Sequence, residues 1–327
     1  MTISLQLGFT DYEQTYAKKK TRRQIFLDEM EATLPWDSFL ALIQPVYYKP
    51  TAKGGRPPFS LEVMLRIHLL QQWFTLSDPL MEEMLIDTPC FRRFAGIETM
   101  EGRIPDETTI LNFRHLLEEH QIAEQIFESV NQSLTEKGVM LKEGTILDAT
   151  IINAPSSTKN KKGERDPEMH SVAKGNQWFF GMRCHIGVDA ASGLVHSVVS
   201  TAANVHELNT AADRVHGEER VIYGDAGHIG IEKRDAFKDC EAEMRIAMKP
   251  GQRRVLPDTP EGRLLDLIET AKAHFRAKVE HPFRIIKCQF GFRKVYYRGI
   301  IKNDLKLKML FALANLWIVR KRCPCIA

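Results

Sequence analysis

The sequence of 327 residues predicts a mixed α/β fold: a mixed sheet flanked by helices, preceded by a small all-α region. Three observations predict it. Apolar residues recur at helical spacing across roughly residues 11–139. From Gly144 the pattern switches to β-branched runs without that spacing, at 145–152, 179–189 and 194–200. Beyond residue 205, helical and strand patterns alternate, which puts parallel strands beside an antiparallel edge. The expected division is a helical N-terminal domain over 1–139 and an α/β domain over 140–327.

In the first part, Val63, Leu65, Ile67, Leu69, Leu70, Trp73 and Phe74 mark a helix over 59–74. Ser60 is its expected N-cap, and Pro57-Pro58 keeps it from starting earlier. Pro79, Pro89 and Pro105 punctuate short helical pieces, and the run from Pro105 to Thr109 is a further helix start. Such pieces suit a helix-turn-helix bundle, and equally any small all-α domain.

In the second part, Ala190-Ala191-Ser192-Gly193 joins two strands as a turn. Val205–Val215 reads as a helix, and Val221–Tyr223 as a short strand ending at Gly224-Asp225-Ala226-Gly227. Another helix and a strand near Met244–Met248 follow. Helices are then expected over 262–290 and 304–322, with a short strand at 294–297 between them. Residues 153–177 are polar, with four lysines, and are expected to form a mobile loop.

Composition narrows the class. Lysine and arginine exceed aspartate and glutamate by 45 − 42 = 3, so net charge selects no partner, although the basic residues are clustered. Six cysteines at these spacings make no disulfide framework. Cys90, Cys184, Cys240 and Cys288 stand alone and are expected to be buried thiols, and Cys323-Pro324-Cys325 lacks the spacer of a zinc knuckle. Met1–Leu7 carries no signal-peptide pattern, and the apolar run Met309–Val319 is too short to span a bilayer. The expectation is a cytoplasmic protein with reduced thiols and no membrane partner.

Three acids carry the candidate chemistry. Asp148 lies within an apolar strand, where a carboxylate is costly unless paired or holding a metal. Asp225 follows a strand, where α/β sheets collect ligands, and Gly224 and Gly227 allow close approach. An aspartate there also serves as the N-cap of a following helix. Asp189, a rival acid, introduces a turn and reads as turn chemistry. Glu280 is flanked by Arg276 four residues before and Lys287 seven after, which on one helix would share a face. That face suits a metal carboxylate beside two phosphate-binding cations; it also suits a plain surface ion-pair stripe. Carboxylates at strand ends suit hard ions such as Mg²⁺, two of which, roughly 3.5–4 Å apart, serve phosphodiester exchange.

These segments resemble the DDE transposases of bacterial insertion sequences. The residues are Asp148-Ala149-Thr150, Tyr223-Gly224-Asp225-Ala226-Gly227, and Arg276 spaced three residues from Glu280, itself six from Lys287. The nearest resemblance is to the insertion-sequence family numbered five, with Gly55-Arg56-Pro57-Pro58-Phe59 similar to its N-terminal domain. A tyrosine usual in that family three positions before the arginine is Ala273 here. The resemblance implies a ribonuclease H-like core, with Asp148, Asp225 and Glu280 as catalytic and metal-binding residues. It implies two Mg²⁺ ions (Mn²⁺ a possible substitute) and Arg276 and Lys287 as DNA contacts. It also implies double-stranded DNA as substrate, both element ends with inverted repeats and target. The expected assembly is a homodimer on DNA, in the bacterial cytoplasm and at the nucleoid when DNA-bound.

Lys18, Lys19, Lys20, Arg22 and Arg23 place five cations in six residues and are expected DNA contacts; clusters at 159–165, 249–254 and 320–322 are further candidates. Trp178 and Phe179 read as an edge residue and strand core, or else as a stacking surface for an unpaired base. His206-Glu207 resembles a segment common in the family and is given no role beyond capping a helix or supporting the site; His228 is a second supporting residue. Two rival readings remain at this stage: a DNA-binding repressor that does not need the acids, and a nuclease that cleaves without transposing.

Overall fold

The switch of side-chain period at Gly144 separates helices from sheet in the structure as in the sequence. The computed structural model describes residues 19–48, 57–97, 102–161 and 163–321. Met1–Leu7, Lys18, Gly55-Arg56, Arg322 and the Cys323/Cys325 pair lie outside the described residues. The chain divides into two compact units, 1–129 with 316–327, and 130–315.

The first unit is helical: α1 (Arg22–Glu31), α2 (Trp36–Ile43), α3 (Leu61–Phe74), α4 (Asp78–Asp87), α5 (Pro89–Ala95), α6 (Glu107–Glu119) and the start of α7 (Ile122–Glu136). Local chemistry sets the starts. Thr21, Ser60, Ser77 and Asp106 each accept a hydrogen bond from the backbone N–H three residues on, satisfying a donor the helix leaves open. Helix α3 is the core, with Leu65, Ile67, Leu69, Leu70 and Trp73 buried. Arg66 on its edge pairs with Glu31 and Glu62 and stacks 4.0 Å over the Trp36 ring. The last residues of the chain close this unit. Trp317 packs 5.0 Å from Phe26, and Arg320 pairs with Glu29 at 2.8 Å.

The second unit is built on a mixed sheet: β1 (Gly144–Asn153), β2 (His170–Lys174), β3 (Gln177–Asp189), β4 (Val195–Ala202), β5 (Val221–Gly224) and β6 (Glu243–Ile246). Central β1 runs antiparallel to β3 and parallel to β5, which runs parallel to β6. The far edge of β3 is shared. Residues 177–181 pair with β2 and 182–188 with β4. The order β4-β3-β1-β5-β6, with β2 extending one end, is ribonuclease H-like.

Side chains alternate across a strand, so Leu147 and Ile222 share one face with Met244. On that face they pack with Ala211, Ile231 and Phe237 from the turns that follow β4 and β5. Ile146, Asp148, Thr150 and Tyr223 take the other face, where α9 (Pro260–Arg276) crosses. Phe275 stacks on Tyr223 at 5.2 Å between ring centroids, and the turn Ala277–Val279 packs on β1. The short α10 (Glu280–Arg284) and a π-helical turn (Ile285–Gln289) follow, and then α11 (Ile300–Val319). Pro282 falls in the first turn of α10, where a missing N–H costs no helix bond.

Several expectations are corrected. Residues 170–174 form a strand, not part of a loop; lying at the edge, it is exposed except for half-buried Val172, and its apolar residues Val172 and Ala173 are adjacent rather than alternating. Val205–Val215 is not an α-helix but two 3-10 turns, Glu207–Thr210 and Ala212–Arg214. The carbonyls of Glu207 and Thr210, which a helix would use internally, instead accept from the Arg214 guanidinium. The helix expected before β6 is three 3-10 turns, interrupted at Gly230 with φ +89°. The strand at 294–297 reduces to one parallel bridge, Asn153 with Lys294. Cys184 is buried, but Cys90 and Cys240 are only half-buried and Cys288 is exposed. Trp178 is a 76% exposed edge residue, and Phe179 is half-buried rather than core.

Buried Asn315 ties α11 to β4. Its side-chain amide donates to Val195 O (2.7 Å) and Asn131 Oδ1 (3.0 Å), and its carbonyl accepts from Val195 N (2.9 Å). Asn315→Leu leaves these groups buried without partners and is expected to cost about 2–4 kcal/mol. Urea unfolding checks it; an unchanged midpoint would contradict the account.

Candidate active site

Strand register brings two acids near each other. Ile146 is opposite Tyr223 in the parallel pair, so Asp148 and Asp225 each follow two residues beyond that pair, close enough for the Asp225 charge to act on Asp148. Strand β5 ends at Gly224, leaving Asp225 just beyond its carboxyl end. Burial pushes the Asp148 carboxyl up to about 6, and the negative charges of Glu207 and Asp225 add to this. The Ala149 N–H and the Arg276 charge oppose it. For Asp225 burial also pushes upward, but it is outweighed by the hydrogen bond and electrostatic attraction from His228, the Arg276 charge and the Gly227 N–H. Its carboxyl therefore lies below the ordinary range.

Arg214 organises the surroundings. It is fully buried, and it donates to Thr210 O (3.1 Å), Glu207 O (2.8 Å), Asp148 O (3.2 Å) and His228 Nε2 (3.2 Å). Burial lowers it to about 10, which leaves it charged at neutral pH. A guanidinium only donates, so His228 Nε2 is the acceptor and the ring proton sits on Nδ1. That Nδ1–H donates to Asp225 Oδ1 at 2.8 Å. Gly187 makes room for this arrangement: a Cβ there would lie 2.5 Å from Arg214 O.

Glu207 reaches the same place from the first 3-10 turn. Its Oε1 is 3.4 Å from Arg183, while Oε2 is buried, lacks a hydrogen-bond partner and lies 3.9 Å from His228 Nδ1. Glu207, Asp225 and His228 each present an atom within 4.8 Å of the others. His206 caps the turn as expected, accepting from Leu208 N at 3.2 Å. Oxygen-rich and acidic, with one carboxylate oxygen buried and unpaired, the set fits a hard divalent ion.

The third predicted acid is placed differently. Between Arg276, Glu280 and Lys287 the backbone stays helical but changes pitch, tightening to 3-10 at Ala277–Val279 and widening to a π turn at Ile285–Gln289. Arg276 acts electrostatically on both Asp148 and Asp225. Lys287, in the π-helical turn, donates to Thr150 Oγ1 on β1, two residues beyond Asp148, and burial lowers its pKa. Glu280 is exposed at the start of α10. Sequence reasoning missed Arg214 and underrated Glu207, whose only signal was the adjacent capping histidine. Asp189 is buried turn chemistry, as expected, accepting from Ser192 N and Lys142 N. Lys19, Lys20, Arg22 and Arg23 are exposed at the start of α1; Lys20 pairs with Asp28, and Arg23 lies over Phe74 and Phe91.

A ribonuclease H-like sheet with one acid on its central strand and another just past the end of the parallel neighbour is a scaffold for metal-dependent phosphodiester chemistry. The chain belongs to the DDE transposases: residues 140–316 match the family described as Transposase DDE domain. Residues 14–116 match a second family, described as Transposase domain (DUF772). No solved structure gives a match. Among the described residues no helix is long and apolar enough to cross a membrane.

Two stability effects follow. Asp148 holds its proton more tightly folded than unfolded, so its contribution to stability falls as pH rises from about 4 to about 6 and stays low above that. Asp148→Asn is expected to stabilise the protein in EDTA at pH 7.5 by about 1–3 kcal/mol, the gain vanishing near pH 4. Chemical denaturation at both pH values measures this, and equal stability at pH 7.5 would count against it. Arg214→Met is expected to lose about 3–5 kcal/mol, since it strands buried carbonyls and the His228 ring nitrogen; a loss under 1 kcal/mol would remove Arg214 from its organising role.

Proposed function

We propose that this transposase binds the terminal inverted repeats of an insertion sequence and catalyses Mg²⁺-dependent strand cleavage followed by strand transfer. The observation that carries the reading is that Asp148 on β1 and Asp225 just past the parallel strand β5 act on each other electrostatically, under the charge of Arg276. Asp148, Asp225 and Glu280 are the proposed catalytic acids and metal ligands, with Mn²⁺ as a substitute ion. A divalent ion, when bound, activates the attacking oxygen and offsets charge on the scissile phosphate.

The protein's own groups do the rest. Arg276 and Lys287 offset phosphate charge and orient the strand beside the acids. In the first step a water oxygen bonds to phosphorus and the bridging 3′ oxygen leaves, freeing a 3′-hydroxyl. In the second, that hydroxyl bonds to a target phosphorus and a target 3′ oxygen leaves, so the number of phosphodiester bonds is conserved. Lys18, Lys19, Lys20, Arg22 and Arg23 supply backbone contacts in the N-terminal unit. Two chains on DNA would hold the two element ends together, and the acting protein would be found with the bacterial nucleoid. The domain division that serves this reading is 1–139 for DNA binding and 140–327 for catalysis.

The test is cleavage of labelled DNA carrying the element's own flanking repeat, in Mg²⁺ or EDTA. Metal-dependent nicking at the repeat end is expected. Glu280→Gln should slow it by a factor on the order of 10² or more, the scale of losing one group that stabilises the transition state. Tight repeat binding without nicking under any metal would favour a DNA-binding repressor instead.

A further inference from the structure

Glu207, Asp225 and His228 meet beside β5, and they are not equivalent as metal donors. Both nitrogens of His228 are committed. Nε2 accepts from Arg214 at 3.2 Å, and the Nδ1 proton is given to Asp225 Oδ1 at 2.8 Å. With no lone pair left, His228 is an orienting group for Asp225 rather than a ligand. Both donors to Asp225, His228 and the Gly227 N–H, fall on Oδ1, so neither occupies Oδ2.

Glu207 is the opposite case. Arg183 holds Oε1 at 3.4 Å, and the backbone carbonyl of Glu207 is fixed by Arg214 at 2.8 Å. The remaining oxygen, Oε2, is buried without any hydrogen-bond partner and is turned toward the Asp225–His228 pair, 3.9 Å from Nδ1. A buried carboxylate oxygen without a donor is unfavourable in a metal-free site. A cation shared with Asp225 would satisfy it. Space for this is kept by Gly227, where a Cβ would lie 2.9 Å from Asp225 Oδ1 and 3.5 Å from Glu207 Oε2.

We propose that Glu207 is a metal ligand, its Oε2 binding a divalent cation together with Asp225 and Asp148, while His228 and Arg214 hold the carboxylates in place from behind. Glu207 thereby adds a fourth acid to the set Asp148, Asp225 and Glu280. The proposal rests on the metal-dependent reading above, but it concerns the protein alone and can fail separately.

The experiment is Mn²⁺ binding to the full chain without DNA, followed by electron paramagnetic resonance of the free ion. Glu207→Gln, nearly the same size as the native residue, should weaken Mn²⁺ at least about tenfold, the scale on which metal sites lose affinity when a supporting group goes. Arg183→Met should leave affinity unchanged or raised, because it removes only a competing cation. If Glu207 merely positions its neighbours through Arg183, both variants would weaken binding alike, and the proposal falls. It falls equally if Glu207→Gln binds like the wild type, or if the wild type shows no saturable Mn²⁺ binding. A second measurement needs no variant: Fe²⁺ with ascorbate and peroxide should cut the wild-type backbone beside residues 148, 207 and 225. Cuts at 148 and 225 without one at 207 would overturn the assignment. A protein that binds Mn²⁺ through Glu207 yet nicks no DNA would overturn the proposed function and leave this inference standing. Metal-dependent nicking with undiminished Mn²⁺ affinity in Glu207→Gln would do the reverse.

Discussion

The geometry of the catalytic unit depends on a single buried cation. Arg214 is fully buried and satisfies two carbonyls of the turn that carries Glu207, one carbonyl of β1 at Asp148, and the ring of His228. Isolated, a charge at that depth would be prohibitive. Here several acceptors surround it, and Glu207 and Asp148 are the negative charges that act on it most strongly. The same contacts that keep Arg214 charged also fix where the acids stand. The tautomer of His228, and through it the Asp225 carboxyl, follows from what a guanidinium can and cannot do.

The acid group trades stability for charge density. Burial is the main force pushing the Asp148 carboxyl up to about 6, and the charges of Glu207 and Asp225 add to it. A purely structural sheet would avoid such crowding. Enzyme sites accept it because the arriving ligand reverses the sign of the interaction, and perturbed carboxylates in a cleft are a common mark of function. The α9 face contributes the counter-charge: Arg276 acts on both aspartates, and Lys287 is drawn onto β1 beside them.

The sheet was legible in the sequence because its central strands are apolar and β-branched over nearly their full length. Asp148 and Asp225 were legible for a related reason: an acid inside such a run, or between two glycines at its end, stands out against its neighbours. Glu207 and Arg214 did not stand out, since their roles arise only when residues distant in sequence converge. Arg214 even misled the reading, because its segment has helical periodicity while the guanidinium takes the carbonyls a helix would need. Edge strand β2 escaped notice because an exposed edge needs no apolar face. The changes of helical pitch between Arg276, Glu280 and Lys287 were not legible, because residue spacing does not reveal pitch.

The contact between Arg320 and Glu29 bears on how the chain is made. The partners are 291 residues apart, yet both belong to the first unit, whose aromatic core also takes in Trp317 against Phe26. Domains usually fold as they emerge from the ribosome, N-terminal first, at roughly 5–20 residues per second. Here the first unit waits for Trp317 and Arg320 to leave the exit tunnel, a delay on the order of tens of seconds after Phe26 and Glu29. Meanwhile the sheet, whose pairings all lie between residues 144 and 246, can assemble while the earlier helices stand incomplete. The helices of the first unit thus stand without their closing contacts for longer than the sheet needs to complete its pairings.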